Sequence, residues 1–168
     1  SLNNPNIVLQ EYMYDENQGD GDNVINPGEI IDLVITVENL VPWDDASSTD
    51  MILTTQDPDL SIINDYVTFN NLDAGDSYTN SISPFTIEVS PDINLVNHQM
   101  QLNIISVGNN GEFDENEFYI DIQVNLNQSG FPYTLTLQDE TGQDYDAITI
   151  VKSSPLIQDI NNDGTPEI

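Results

Sequence analysis

The chain has 168 residues, with 30 Asp+Glu against 1 Lys+Arg and no cysteine, and a formal net charge of −29. That balance excludes nucleic acid and anionic membrane surfaces as partners, because phosphate contacts need a basic face and Lys152 is the only cationic side chain apart from the histidine. The missing thiols exclude a cysteine nucleophile, a Cys-based zinc site and a disulfide framework, and a chain of this size buries roughly 70% of its unfolded surface without such a staple.

Taken in chain order, the apolar residues fall in short runs rich in β-branched and aromatic side chains, separated by turn clusters. The predicted strands are Ile7 to Met13, Ile30 to Val37, Asp50 to Thr55, Ser61 to Phe69 with a break at Asn64, Ser77 to Val89, Met100 to Val107 and Glu117 to Leu126. Asn26-Pro27-Gly28, Asp57-Pro58, Asp73-Ala74-Gly75 and Ser90-Pro91 punctuate them, and Gly108-Asn109-Asn110-Gly111 reads as a hairpin turn. No segment keeps a period of 3.6 for a helix, and Phe118, Ile120, Ile122 and Val124 alternate with polar residues as in a half-buried strand. Seven such strands predict a two-sheet sandwich, with an open barrel as the alternative. No run reaches the ~18 apolar residues of a membrane span, so no membrane insertion is expected.

The texture changes near Asn127-Gln128-Ser129-Gly130, which sets a predicted boundary between a sandwich over 1–127 and a β-rich tail over 128–168. Tyr133 to Leu137, Ala147 to Val151 and Leu156 to Ile160 read as further strands, too poor in apolar residues to build a core alone. The chain starts at Ser1 without Met and shows no signal peptide. It reads as a mature or excised piece of a longer, exported precursor.

Two acidic loops carry candidate chemistry. Between the first two strands, Asp15, Asn17, Asp20, Asp22 and Glu29 crowd oxygen donors into a glycine-rich segment, the ligand type and chain flexibility that calcium requires. It is not an EF-hand, since Gln18 rather than Asp stands eleven residues before Glu29. In the tail, Asp159, Asn161 and Asp163 stand at positions 1, 3 and 5 of a compact loop, followed by Gly164 and closed by Glu167. That spacing shares the first half of EF-hand logic and also predicts Ca2+. The clusters Phe113 to Glu117 and Asp139 to Asp146 read as solvated faces. Catalytic readings do not assemble: His98 is the only histidine, no G-x-S-x-G elbow exists, and carboxylate pairs are too abundant here to signal glycoside hydrolysis. Trp43 reads as a packing residue, and a role in stacking carbohydrate is unsupported by any second tryptophan.

The segment NQGDGDNVINPGEIIDLVITV (Asn17 to Val37), the turn Leu72-Asp73-Ala74-Gly75-Asp76-Ser77 and the strand Phe85 to Pro91 resemble CARDB-like domains of exported bacterial proteins, over about residues 5–126. The resemblance implies an all-β fold, an Ig-like antiparallel β-sandwich of about seven strands, in a secreted or cell-surface protein. Ser153-Ser154-Pro155 through Glu167-Ile168, with Phe131-Pro132 before it, is similar to one FG-GAP/VCBS propeller blade and implies calcium at Asp159, Asn161, Asp163 and Glu167. The expected function is a non-catalytic, calcium-stabilised structural or adhesion module, its partners neighbouring domains of the parent protein or like subunits. The alternatives are a fibre subunit joined by strand addition through the tail, and an accessory domain of a secreted hydrolase.

Overall fold

Strict alternation builds the central strands. In Ile30–Asn39 (β2), Ile31, Leu33, Ile35 and Val37 are fully buried while their neighbours are half-exposed, the period-2 pattern of a strand with one face in a core. A computed structural model describes residues 4–125 together with two short strands, Leu137–Gln138 and Asp144–Tyr145, which pair antiparallel. The other strands are Ile7–Gln18 (β1), Ala46–Thr55 (β3), Leu60–Asn64 (β4), Tyr66–Leu72 (β5), Ser77–Thr79 (β6), Phe85–Val89 (β7), Asn97–Gly108 (β8) and Phe113–Gln123 (β9). Every pairing is antiparallel. One sheet runs β1-β2-β7-β4, with β6 also on β2, and the other runs β5-β3-β8-β9. The fold is an Ig-like antiparallel β-sandwich, and two separate sheets replace the barrel alternative. The chain divides into two compact units, Ser1–Ser129 and Gly130–Ile168. No helix among the described residues is long and apolar enough to cross a membrane.

The core lies between the sheets. Phe85, Ile87 and Val89 of β7 join the β2 residues on one side, and Met51, Leu53, Met100, Leu102, Ile104, Ile120 and Ile122 face them from the other. Truncating one such Leu or Ile to Ala costs about 2–5 kcal/mol.

The run expected as one strand from Ser77 to Val89 is two. The chain leaves β2 over Asn80–Pro84 and returns as β7. Asn80, fully buried, fills the gap in the ladder: its Oδ1 accepts from the Ile35 amide at 2.6 Å and its Nδ2 donates to the Leu33 carbonyl at 3.4 Å. Asn39 does a related job at the far end of β2. Its Oδ1 accepts from the Asn6 amide, and its Nδ2 donates to the carbonyls of Asp44 and Leu72. Both buried amides are thereby satisfied. Trp43 is half-buried in the β2–β3 loop.

Backbone bonds collect the acidic β1–β2 loop, the β3–β4 turn and the β7–β8 loop at one end of the sandwich. Gly28 donates to the Val89 carbonyl, Ser90 to that of Asp59, and Asn125, just past β9, to that of Ile25.

Candidate metal centre

The strand β1 does not stop at Met13 but pairs with β2 through Gln18. This decides which acidic side chains meet. Glu16 stands opposite Ile31, whose side chain is in the core, so Glu16 projects to the inner side of the sheet where the strand runs out of the sandwich. Asp15 stands opposite Asp32, on the outer face. Asn17 sits in the bulge between Glu16 and Gln18, and its Nδ2 donates to Asp32 Oδ2 at 2.9 Å. Asp32 Oδ1 in turn accepts from Thr86 Oγ1 at 2.8 Å.

Beyond β1 the loop folds over Glu16 and Glu29. Ligand oxygens of Glu16, Asp20 and Glu29 all lie within 4.8 Å of one another. Backbone amides cradle the two glutamates: Gly21 and Asn23 donate to Glu16 at 2.6 and 2.9 Å, and Asp20 and Asn26 donate to Glu29 at 3.4 and 2.8 Å. The Asn26 side-chain amide adds a bond to Glu29 at 3.3 Å. Left-handed backbone at Gly21 (φ 85°) and Asn23 (φ 60°) makes the tight turn possible. Gly19 is pressed against the acids: a Cβ there would lie 2.8 Å from Glu29 Oε1 and 3.0 Å from Glu16 Oε2. Asp22 is held by its Oδ1, which accepts from the Val24 amide at 2.7 Å. Its Oδ2 is buried and has no hydrogen-bond partner.

Such an arrangement suits a hard cation. The grouped donors are carboxylate oxygens without imidazole or thiolate, the set that calcium or magnesium favours, where zinc and copper favour nitrogen or sulfur donors. Unit charges about 4 Å apart repel by ~1 kcal/mol in water and ~4 kcal/mol near a protein surface, and a bound cation reverses the sign. An orphaned carboxylate oxygen such as Asp22 Oδ2 is the kind of atom that otherwise costs about 1–3 kcal/mol of desolvation.

Of the five residues expected at this loop, Asp20 and Glu29 are brought together, and Asp22 lies in the same turn. Asp15 and Asn17 are directed to Asp32 instead. Glu16 was not among the expected ligands. The polar stretch Asp-Glu-Asn-Gln reads as loop, and only its pairing with β2 shows that alternation turns Glu16 inward. Asp159, Asn161, Asp163 and Glu167 lie outside the described residues.

The sole histidine sits at the same end of the sandwich. His98 is buried, with Nδ1 2.5 Å from Asp57 Oδ2 and Nε2 2.8 Å from the Asn94 carbonyl. The Asn94 carbonyl can only accept, so Nε2 donates to it, and with Asp57 ionised Nδ1 donates as well, the pattern of the imidazolium. Burial pulls the His98 pKa down, but the bonds to Asn94 and Asp57 outweigh it and the pKa is raised overall. The hydrogen bond from His98 holds the Asp57 carboxyl below its usual range. Nearby, the Tyr14 hydroxyl donates to the Asp121 carbonyl at 3.0 Å. Burial first, then Tyr12 and Asp121, drive the Tyr14 pKa far up.

No protein-family model matches the chain. No curated protein matches it. The CARDB-like and FG-GAP resemblances therefore have no family match behind them, and what stands is the all-β sandwich. Among solved structures, the chain is similar to the C-terminal domain of Wzt, at 12% identity and TM-score 0.40 over 90% of this chain and 84% of that one. It is similar to a cohesin module from a family 33 glycoside hydrolase of Clostridium perfringens, at 10% identity and TM-score 0.39 over 72% of this chain and 96% of that one. A sporulation control protein of Bacillus subtilis matches at 15% identity and TM-score 0.33, over 69% of this chain and 50% of that one.

Proposed function

We propose that the sandwich is a non-catalytic structural module of an extracellular or cell-surface protein, and that Ca2+ at the β1–β2 loop stabilises it. The observation that carries this reading is the convergence of Glu16, Asp20 and Glu29, with the orphaned oxygen of Asp22 in the same turn. Those four residues would hold the ion, which would fasten the end of β1 to the start of β2. A non-catalytic role is supported by His98, which is engaged on both nitrogens and has no capacity left for general-base work. An extracellular setting is supported by the charge of −29, which bound calcium and external salt would offset.

The test is thermal unfolding with calcium, with magnesium and with EDTA at constant ionic strength. Ligand at ~100 times its Kd adds about 2.7 kcal/mol of stability, a rise of several degrees in Tm for a domain of this size. We expect that rise with calcium, its loss in Glu16→Gln and Glu29→Gln, and its reduction in Gly19→Ala, where a methyl group would force the carboxylates apart. Equal melting in calcium and EDTA would overturn the reading.

A further inference from the structure

We propose that the outer face of the β5-β3-β8-β9 sheet docks a cationic polypeptide segment, one whose apolar side chains are flanked by Lys and Arg. The face is defined by register, since residues directly opposed across antiparallel strands project to the same side. One row is Tyr66, Ile52, Asn103 and Glu117; the rows beside it are Thr68, Asp50, Ile105 and Glu115, and Thr54, Gln101 and Tyr119. Val107 and Phe113 pair one row further on.

Three properties set this face apart from a solvated sheet surface. Its two inner strands carry three half-buried aliphatic side chains, Ile52, Ile105 and Val107, set among Asp50, Gln101 and Asn103. Its rims are aromatic: Tyr66 on one edge strand and Phe113 and Tyr119 on the other are 46%, 66% and 59% exposed. Moreover, both tyrosine hydroxyls are hydrogen-bonded on the face itself. Tyr66 Oη donates to Asp50 Oδ1 at 2.6 Å and Tyr119 Oη donates to Glu117 Oε1 at 2.7 Å. With only two side-chain torsions, a tyrosine loses little entropy on binding, and it recurs as an interface anchor.

The occupant follows from charge and size. Asp50 lies among the aliphatic side chains and Glu115, Glu117 and Asp121 line the β9 edge, and no Lys or Arg lies among the described residues. A second copy of the chain would bring the same carboxylates and be repelled, whereas a basic segment is complementary. Strands about 4.8 Å apart make a four-stranded face roughly 15 Å wide, which accommodates one helix of 10–12 Å diameter between the rims. Such a footprint is smaller than the ~800 Å² per side of a standard interface, so the contact is a weak or transient one unless loops extend it.

The test titrates a synthetic amphipathic helix of leucine and lysine into the isotope-labelled full chain, at low and high salt. We expect amide shifts centred on Ile52, Asn103, Ile105, Glu117 and Tyr119 that survive high salt, with affinity about tenfold lower in Tyr66→Ala and in Tyr119→Ala. Glu117→Gln, which keeps the shape and removes a charge, is expected to weaken binding more at low salt than at high. Unchanged thermal unfolding of the three variants shows that the loss is local. Shifts scattered over the acidic loop and erased by salt would overturn the proposal, as would equal binding of the glutamate-for-lysine peptide. So would cellohexaose producing the same shifts, or self-association of the chain abolished by the same variants.

Discussion

His98 shows how one side chain sets a pH range. Its imidazolium bridges the β3–β4 turn, through Asp57, to the β7–β8 loop, through the Asn94 carbonyl, and the charge of Asp59 also favours the protonated form. With its folded pKa raised above 6.5, the proton is held more tightly in the native state than in the unfolded chain. Its stabilisation is therefore complete below pH 6.5 and is lost as pH rises through the folded value. For Asp57, lowered from 3.8, the sense is opposite: its contribution is present above pH 3.8 and lost as pH falls through the depressed value. His98→Gln is expected to cost about 1.5–3 kcal/mol near pH 5, the worth of a charged hydrogen bond. The difference from wild type should shrink toward pH 8 in denaturant melts. Ring resonances of the single histidine that titrate below 6.5 would refute it. Sequence alone offered His98 no catalytic companions, but its partners, 41 and 4 residues away, are visible only once the loops are folded. Glu16 was hidden for a similar reason: its role depends on which face of β1 it occupies.

At the scale of the element, the pattern of apolar residues was legible and its interruptions were less so. The alternation in β2, β8 and β9 marks the inner face residue by residue, and the break after Asn64 separates β4 from β5. The acidic stretch Phe113 to Glu117 lies within β9 rather than at the hairpin tip, because the turn closes over Asn109–Glu112. The excursion at Asn80–Pro84 had one signal, Pro84, which cannot donate to a ladder. What no sequence pattern conveys is that the Asn80 amide stands in for a missing strand. Asn80→Ala leaves the Ile35 amide without that acceptor and the Leu33 carbonyl without that donor, in the core. It is expected to destabilise the unit by about 1–3 kcal/mol, read from denaturant unfolding. Asn80→Asp, which keeps the acceptor and loses the donor, should differ from it; identical losses would show that the bonds to β2 do not matter.

For the molecule as a whole, charge is the dominant fact. At −29, monovalent salt is expected to raise the melting temperature by screening, gradually and without preference among cations of equal valence. Calcium should add a further rise that persists at high salt, because Glu29 and the Asp22 oxygen are shielded from the bulk. If high salt removes the calcium increment entirely, the loop is only an acidic surface. Composition made the charge and the sandwich legible together: the apolar runs are long enough for two sheets, and the acids lie mostly on outer faces and loops.

Two of the edge strands, β1 and β9, give the sandwich a direction. β1 begins beside Asn39 and the β8–β9 turn, where Pro5 lies against Gly108, and β9 ends at the opposite pole, where Asn125 bonds to Ile25. First and last strands thus run the same way along the long axis. Tension applied at the two poles would slide β1 along β2 and β9 along β8, straining all the hydrogen bonds of each ladder at once rather than opening them one by one. The acidic loop lies at the pole where β9 ends, so it would sit where such a pull on β9 acts.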